Sequence, residues 1–118
     1  MERVMNINRE ALERRLAVTE YIFDENNPNF YPKDEYNVFF INSAQNYFND
    51  LLNAQGFVFL NDLLKYLGIK PRMVGQIAGW TKDRTGYIHI EISRNENSKE
   101  LSLKIEHDGV IIFDVLGD

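Results

Sequence analysis

The sequence predicts an α+β domain in which about three N-terminal helices pack on a C-terminal three-stranded antiparallel β-meander. Two patterns predict it. Up to Leu67 the apolar residues recur at three- and four-residue spacing, whereas from Tyr87 onward they alternate with polar ones. The 118 residues read as one domain: an N-terminal helix (1–24), an aromatic loop (25–37), a helical part (38–82) and the meander (83–118).

The first helix is expected from about Asn8 to Asp24. Asn8 can cap it, Glu10 suits its first turn, and Leu12, Leu16, Thr19 and Phe23 trace one stripe at helical spacing. Such a stripe packs on its own domain or on a second copy. The following segment, Glu25-Asn26-Asn27-Pro28-Asn29-Phe30-Tyr31-Pro32-Lys33-Asp34, opposes helix and strand alike through its prolines and asparagines. Aromatic residues crowd around it, and it either folds back over the core or offers Phe30, Tyr31 and Tyr36 to a partner.

A second helix is expected from Asn42, with Gln45 completing a capping box. Ala44, Tyr47, Phe48, Leu51 and Leu52 form its apolar face, and Gly56 stops it in the left-handed conformation. The short apolar piece Phe57 to Leu60 leads to Asn61, which caps a third helix over Asp62–Leu67, ending at Gly68. Gly79-Trp80 sets a bend with an aromatic plug, and Trp80 is also a candidate interaction residue.

Ile88, Ile90 and Ile92 alternate with Tyr87, His89, Glu91 and Ser93, and Leu101, Leu103 and Ile105 alternate with Ser102, Lys104 and Glu106. The last strand is expected over Val110–Val115. A three-residue turn with Gly109 left-handed pairs Ile105 with Ile111, Leu103 with Phe113 and Leu101 with Val115, keeping one face apolar.

An apolar fraction of 44% and a charged fraction of 26% are ordinary for a globular chain, which excludes wholesale disorder. The absence of cysteine excludes disulfides, thiol nucleophiles and cysteine-based zinc sites. No apolar run resembles a signal segment or could cross a bilayer, so a cytoplasmic protein is expected. The net charge of −5 speaks against a general nucleic-acid binder. A local exception is Lys65, Lys70, Arg72, Lys82 and Arg84, offset only by Asp83 in that stretch, which is either a solvated rim or a phosphate-contacting patch.

Chemistry is sparse. His89 and Glu91 share a strand face, but two ligands make an incomplete metal site, and His107 beside Asp108 reads as turn chemistry. No serine lies in a nucleophile elbow. Gly75-Gln76-Ile77-Ala78-Gly79-Trp80 lacks the spacing and lysine of a phosphate loop. The helix pair 42–55 and 61–67 is joined by too apolar a link, and carries too few cations, for a groove-reading helix-turn-helix. The residues therefore imply no catalytic set, no cofactor and no metal. An enzyme would require Trp80, His89 and Glu91 to line one cleft.

Asn42-Ser43-Ala44-Gln45-Asn46-Tyr47-Phe48-Asn49-Asp50-Leu51-Leu52 leads into Gly56-Phe57-Val58-Phe59-Leu60-Asn61-Asp62, then Leu67-Gly68 and Gly75-Gln76-Ile77-Ala78-Gly79-Trp80. This order resembles a family of small uncharacterised proteins from bacteriophages, prophages and related mobile elements of Gram-positive bacteria, over about residues 38–115. The resemblance implies a host-cytoplasmic or particle-bound protein that binds a partner, and it supplies no reaction. The expected function is a non-catalytic protein–protein interaction or assembly role, with a homodimer as one form. The alternative is a nucleic-acid-associated regulator using the 65–84 cations.

Overall fold

The computed structural model describes residues 18–117. It is a mixed α+β arrangement, but a strand comes first among the described residues. Strand β1 (Val18–Phe23) is followed by helix α1 (Asp34–Gln55), strand β2 (Phe57–Phe59), helix α2 (Leu60–Leu67), a 3-10 turn (Val74–Gln76) and strand β3 (Gly79–Thr81). Strands β4 (Ile90–Arg94) and β5 (Leu101–Glu106) and the short helix α3 (Ile112–Leu116) complete it. The expected order of helices first and meander last is thus corrected.

The C-terminal end of the expected first helix is β1, while its remainder, 8–17, lies outside the described residues. Val18-Thr19-Glu20-Tyr21-Ile22-Phe23 is dominated by β-branched and aromatic side chains, whose preference for a pleated surface outweighs the Thr19/Phe23 helical spacing. Its partner is β5, with Thr19 opposite Ile105, Tyr21 opposite Leu103 and Phe23 opposite Leu101, all antiparallel. On the other side of β5, Ile90 faces Ile105 and Ile92 faces Leu103, so β5 is the central strand of the order β1-β5-β4.

The place beside β5 that the sequence assigns to Val110–Val115 is therefore occupied by β1, and the predicted Ile105–Ile111 hairpin does not form. Gly109 is left-handed as expected (φ 95°), but the chain then leaves the sheet. Gly79 donates to the Gly109 carbonyl at 3.0 Å, Asp108 donates to the Gly79 carbonyl at 2.7 Å, and Ile111 donates to the Ile77 carbonyl at 2.8 Å. Those bonds fix 108–111 against β3, and residues 112–116 turn into α3.

Helix α1 begins eight residues before the predicted cap. Asp34 and Glu35 occupy its first turn, where carboxylates suit the positive end of the helix dipole. Asn42 is an exposed residue inside the helix and caps nothing. Asn37, Ile41, Ala44, Phe48 and Leu52 form the buried stripe, and Gly56 ends the helix with φ 90° and its N–H on the Leu52 carbonyl. Helix α2 starts at Leu60, one position before the residue predicted to cap it. Asn61 turns inward, giving its amide to the Arg72 carbonyl (2.8 Å) and accepting from the Arg72 N–H (2.9 Å).

The β2–β3 ladder places Val58 opposite Trp80 and Phe59 opposite Gly79. A Cβ at Gly79 would stand 2.0 Å from the Val58 carbonyl oxygen, so only glycine lets these backbones approach. One face of the three-stranded sheet, carrying Phe23, Ile90, Leu101, Leu103 and Ile105, meets Ile41, Ala44, Phe48 and Leu52 of α1 and Leu60, Leu63, Leu64 and Leu67 of α2. The opposite face is lined by Glu20, Glu91, Lys104 and Glu106, which are exposed.

Candidate interaction surface

Asparagine chemistry positions the loop before α1. Asn27 donates to the Leu67 carbonyl at 2.8 Å, satisfying an orphan acceptor at the end of α2. Asn37 of α1 takes both backbone groups of Tyr31, at 2.8 Å each. The segment predicted as a linker is thereby fastened across the ends of two helices. Phe30 is half-buried against the core, 5.9 Å from the Phe23 ring, while Tyr31 is exposed with its ring 5.2 Å from that of Tyr36.

From there an aromatic flank runs along α1. Tyr36, Phe40 and Tyr47 recur at helical spacing, with Phe39 one step round the surface. Phe40 stacks on Phe23 beneath it and on Tyr66 of α2 beside it, and Tyr66 stacks on Tyr47 at 5.6 Å. Phe39 is 71% exposed, Tyr36 54% and Tyr47 52%. The interlocked rings give a surface whose side chains are already ordered. Of the residues singled out from sequence, Tyr31 and Tyr36 belong to this flank. Phe39 and Tyr47 were missed, although their helical spacing with Tyr36 was the available signal, and Tyr66 of α2, which joins them only through packing, was missed with no such signal.

Trp80 is removed from the interaction set. It is 1% exposed, its Nε1–H donates to the Glu106 carbonyl at 3.0 Å, and its ring meets His107 edge-on. It is the plug between β3 and β5.

Two of the five cations, Arg72 and Arg84, are engaged by the protein itself. Arg72 donates to Thr19 Oγ1 (2.9 Å) and the Tyr21 hydroxyl (3.2 Å), pinning the chain after α2 to β1. Arg84 pairs with Asp114 at 2.8 Å and donates to the carbonyls of Asp108 and Val110, so it clamps α3. Lys82 lies 3.5 Å from the Asn53 carbonyl, and Lys65 and Lys70 are exposed on and just after α2.

His89 and Glu91 do line one cleft, of about 280 Å³, together with Thr85, Tyr87, Lys104, Glu106 and His107. Trp80 is absent from that lining. His107 is buried and its Nδ1 accepts from the Gly109 N–H at 2.9 Å, so the neutral ring carries its proton on Nε2. Asp108 accepts from the Thr81 N–H and the Thr85 hydroxyl, holding the 81–85 turn. Among the described residues no three His, Asp or Glu side chains gather with metal-ligand geometry.

The sequence matches the model of a family of unknown function, DUF6353, over residues 2–115. The chain belongs to DUF6353. No curated protein and no solved structure matches it. The DUF6353 match takes in both the aromatic flank and the polar cleft, and its description assigns a role to neither. No helix among the described residues of this DUF6353 member is long and apolar enough to cross a membrane.

Proposed function

We propose that this protein is a non-catalytic interaction protein, of the kind that phages and mobile elements express in the host cytoplasm, and that it engages a protein partner through the aromatic flank of α1. The observation that carries this reading is the exposed run of Tyr31, Tyr36, Tyr47 and Tyr66, whose rings are held by neighbouring rings, with Phe39 exposed beside them. Aromatic side chains dominate binding hot spots, and rings held by neighbours lose little conformational freedom on association. A nucleic-acid role through the 65–84 cations is supported less well. Arg72 and Arg84 spend their guanidinium groups on the protein itself, and the faces of Tyr66 are covered by Phe40 and Tyr47 rather than open to a base.

The test is sedimentation velocity on the full chain across a range of concentrations, followed by capture from host lysate, comparing wild type with a Tyr36→Ser/Phe39→Ser double variant. A dimer that the variant loses, or a captured protein that only the wild type retains, supports the reading. A monomer at every concentration, together with identical captures by both forms, overturns it.

A further inference from the structure

The two open edges of the three-stranded sheet are treated differently. At the β4 edge, the Ile90 N–H donates to Gln45 Oε1 at 2.8 Å, and both backbone groups of Ile88 are held by Asn49. Helix α1 thus covers the start of that edge, up to Ile90, with side-chain amides. These bonds also fix the sense of the whole sheet. In an antiparallel ladder both backbone groups of a residue point the same way and alternate along the strand. Since Ile90 points away from β5, Glu91 pairs with Lys104, and Leu103 and Ile105 point toward β1. Thr19, Tyr21 and Phe23 therefore bond to β5, and Val18, Glu20 and Ile22 direct their N–H and C=O groups outward. Among the described residues none donates to or accepts from them.

The outer face of the sheet shows what would fit there. One cross-strand row reads Glu91, Lys104, Glu20, alternating in sign, so the next position calls for a cation. Glu20 also accepts from the Ser102 hydroxyl at 3.4 Å, across β5 and away from the open side. The flanking rows end in Val18 and in Ile22, which is 52% exposed, so the positions beside them call for apolar side chains.

We infer that the β1 edge is a docking site for an extended segment of a partner with the pattern apolar–x–basic–x–apolar, its lysine or arginine opposite Glu20. The segment adds a fourth strand, with main-chain bonds supplying affinity and Glu20 supplying selectivity. The outward groups of Val18, Glu20 and Ile22 share no residue with the aromatic flank, so variants at Glu20 and at Tyr36/Phe39 test the two surfaces independently.

The probe is a synthetic peptide alternating threonine with valine around a central lysine, compared with its glutamate-centred twin, titrated into the full chain by fluorescence anisotropy and by amide chemical shifts. The lysine peptide is expected to bind about three- to fivefold more tightly than its twin, and Glu20→Lys is expected to invert the order. Glu20→Pro removes an outward donor and leaves the β5 ladder intact, so it should weaken both peptides about tenfold or more while the circular dichroism stays native. Shifts centred on Val18, Glu20 and Ile22 would place the peptide. No saturable binding would overturn the inference, leaving Glu20 as a charge that keeps the edge unpaired. A preference unchanged by Glu20→Lys, or binding unchanged by Glu20→Pro, would overturn it equally.

Discussion

Asn49 holds Ile88 by both of its backbone groups, donating to the carbonyl at 2.8 Å and accepting from the N–H at 2.7 Å. The side-chain amide has the donor–acceptor layout of a peptide unit, so a helix residue stands in for a neighbouring strand. Asn37 does the same for Tyr31 and Asn61 for Arg72. Each clasp holds a non-helical stretch against a helix where a ladder would otherwise be needed.

Replacing Asn49 by leucine leaves the N–H and C=O of buried Ile88 unsatisfied. The loss should be about 2–4 kcal/mol of folding stability, read from the urea midpoint at constant m-value. Asn53→Leu, an exposed position one turn further on, should change little by the same measurement.

Two glycines separate crowding from backbone strain. At Gly79 an added methyl meets the Val58 carbonyl at 2.0 Å and the Phe59 Cα at 2.8 Å, so Gly79→Ala should destabilise by about 3 kcal/mol or more, as overpacking against main chain does. At Gly109 nothing lies within 4 Å, but φ is +95°, so Gly109→Ala should cost only about 1–2 kcal/mol. Thermal unfolding of both variants should rank them in that order.

Arg84 ties α3 to the rest of the molecule through Asp114 and the carbonyls of Asp108 and Val110. The pair is partly exposed, so Arg84→Gln should lower global stability by only about 0.5–1 kcal/mol. Its local effect should be larger. Amide exchange at Val115 and Gly117, whose N–H groups bond within α3 and its cap, should accelerate while β5 stays protected.

Phe39 is the most exposed aromatic of the α1 flank. Phe39→Ser should therefore leave the unfolding midpoint within about 0.5 kcal/mol of wild type. A clear loss of stability would show that the ring packs on its own domain and is not held for a partner.

Where side-chain period and glycine punctuation agree with the final packing, the fold is legible. Strand β5 and the Ile90–Ile92 part of β4 follow from alternation, and the ends of α1 and α2 follow from Gly56 and Gly68. Strand β1 is not legible because Leu16, Thr19 and Phe23 also satisfy a helical period, and nothing local says that β5 lies beside them. The same long-range fact defeats the Val110–Val115 strand, whose apolar run suits a sheet position already filled. The start of α1 is hidden because Tyr36 and Asn37 read as part of the aromatic loop until Asn37 is seen clasping Tyr31. For the candidate site, Tyr31 and Tyr36 stand out by composition, whereas Trp80 carries an aromatic signal that burial reverses. The cationic stretch gives no hint of the partners that occupy Arg72 and Arg84.

The β1–β5 pairing joins positions between 78 residues apart, at Phe23 and Leu101, and 88 residues apart, at Val18 and Glu106. At ordinary translation speeds, β1 leaves the ribosome about 4–16 s before its neighbour has been made. Throughout that interval Phe23 and Tyr21 have no sheet to enter, although α1 and α2 can already associate. A nascent chain stalled before Leu101 should therefore present a sticky leading segment to chaperones, and release of the last stretch should hide it in one step. Truncations on either side of residue 106 would be expected to differ far more in solubility than their small difference in length suggests.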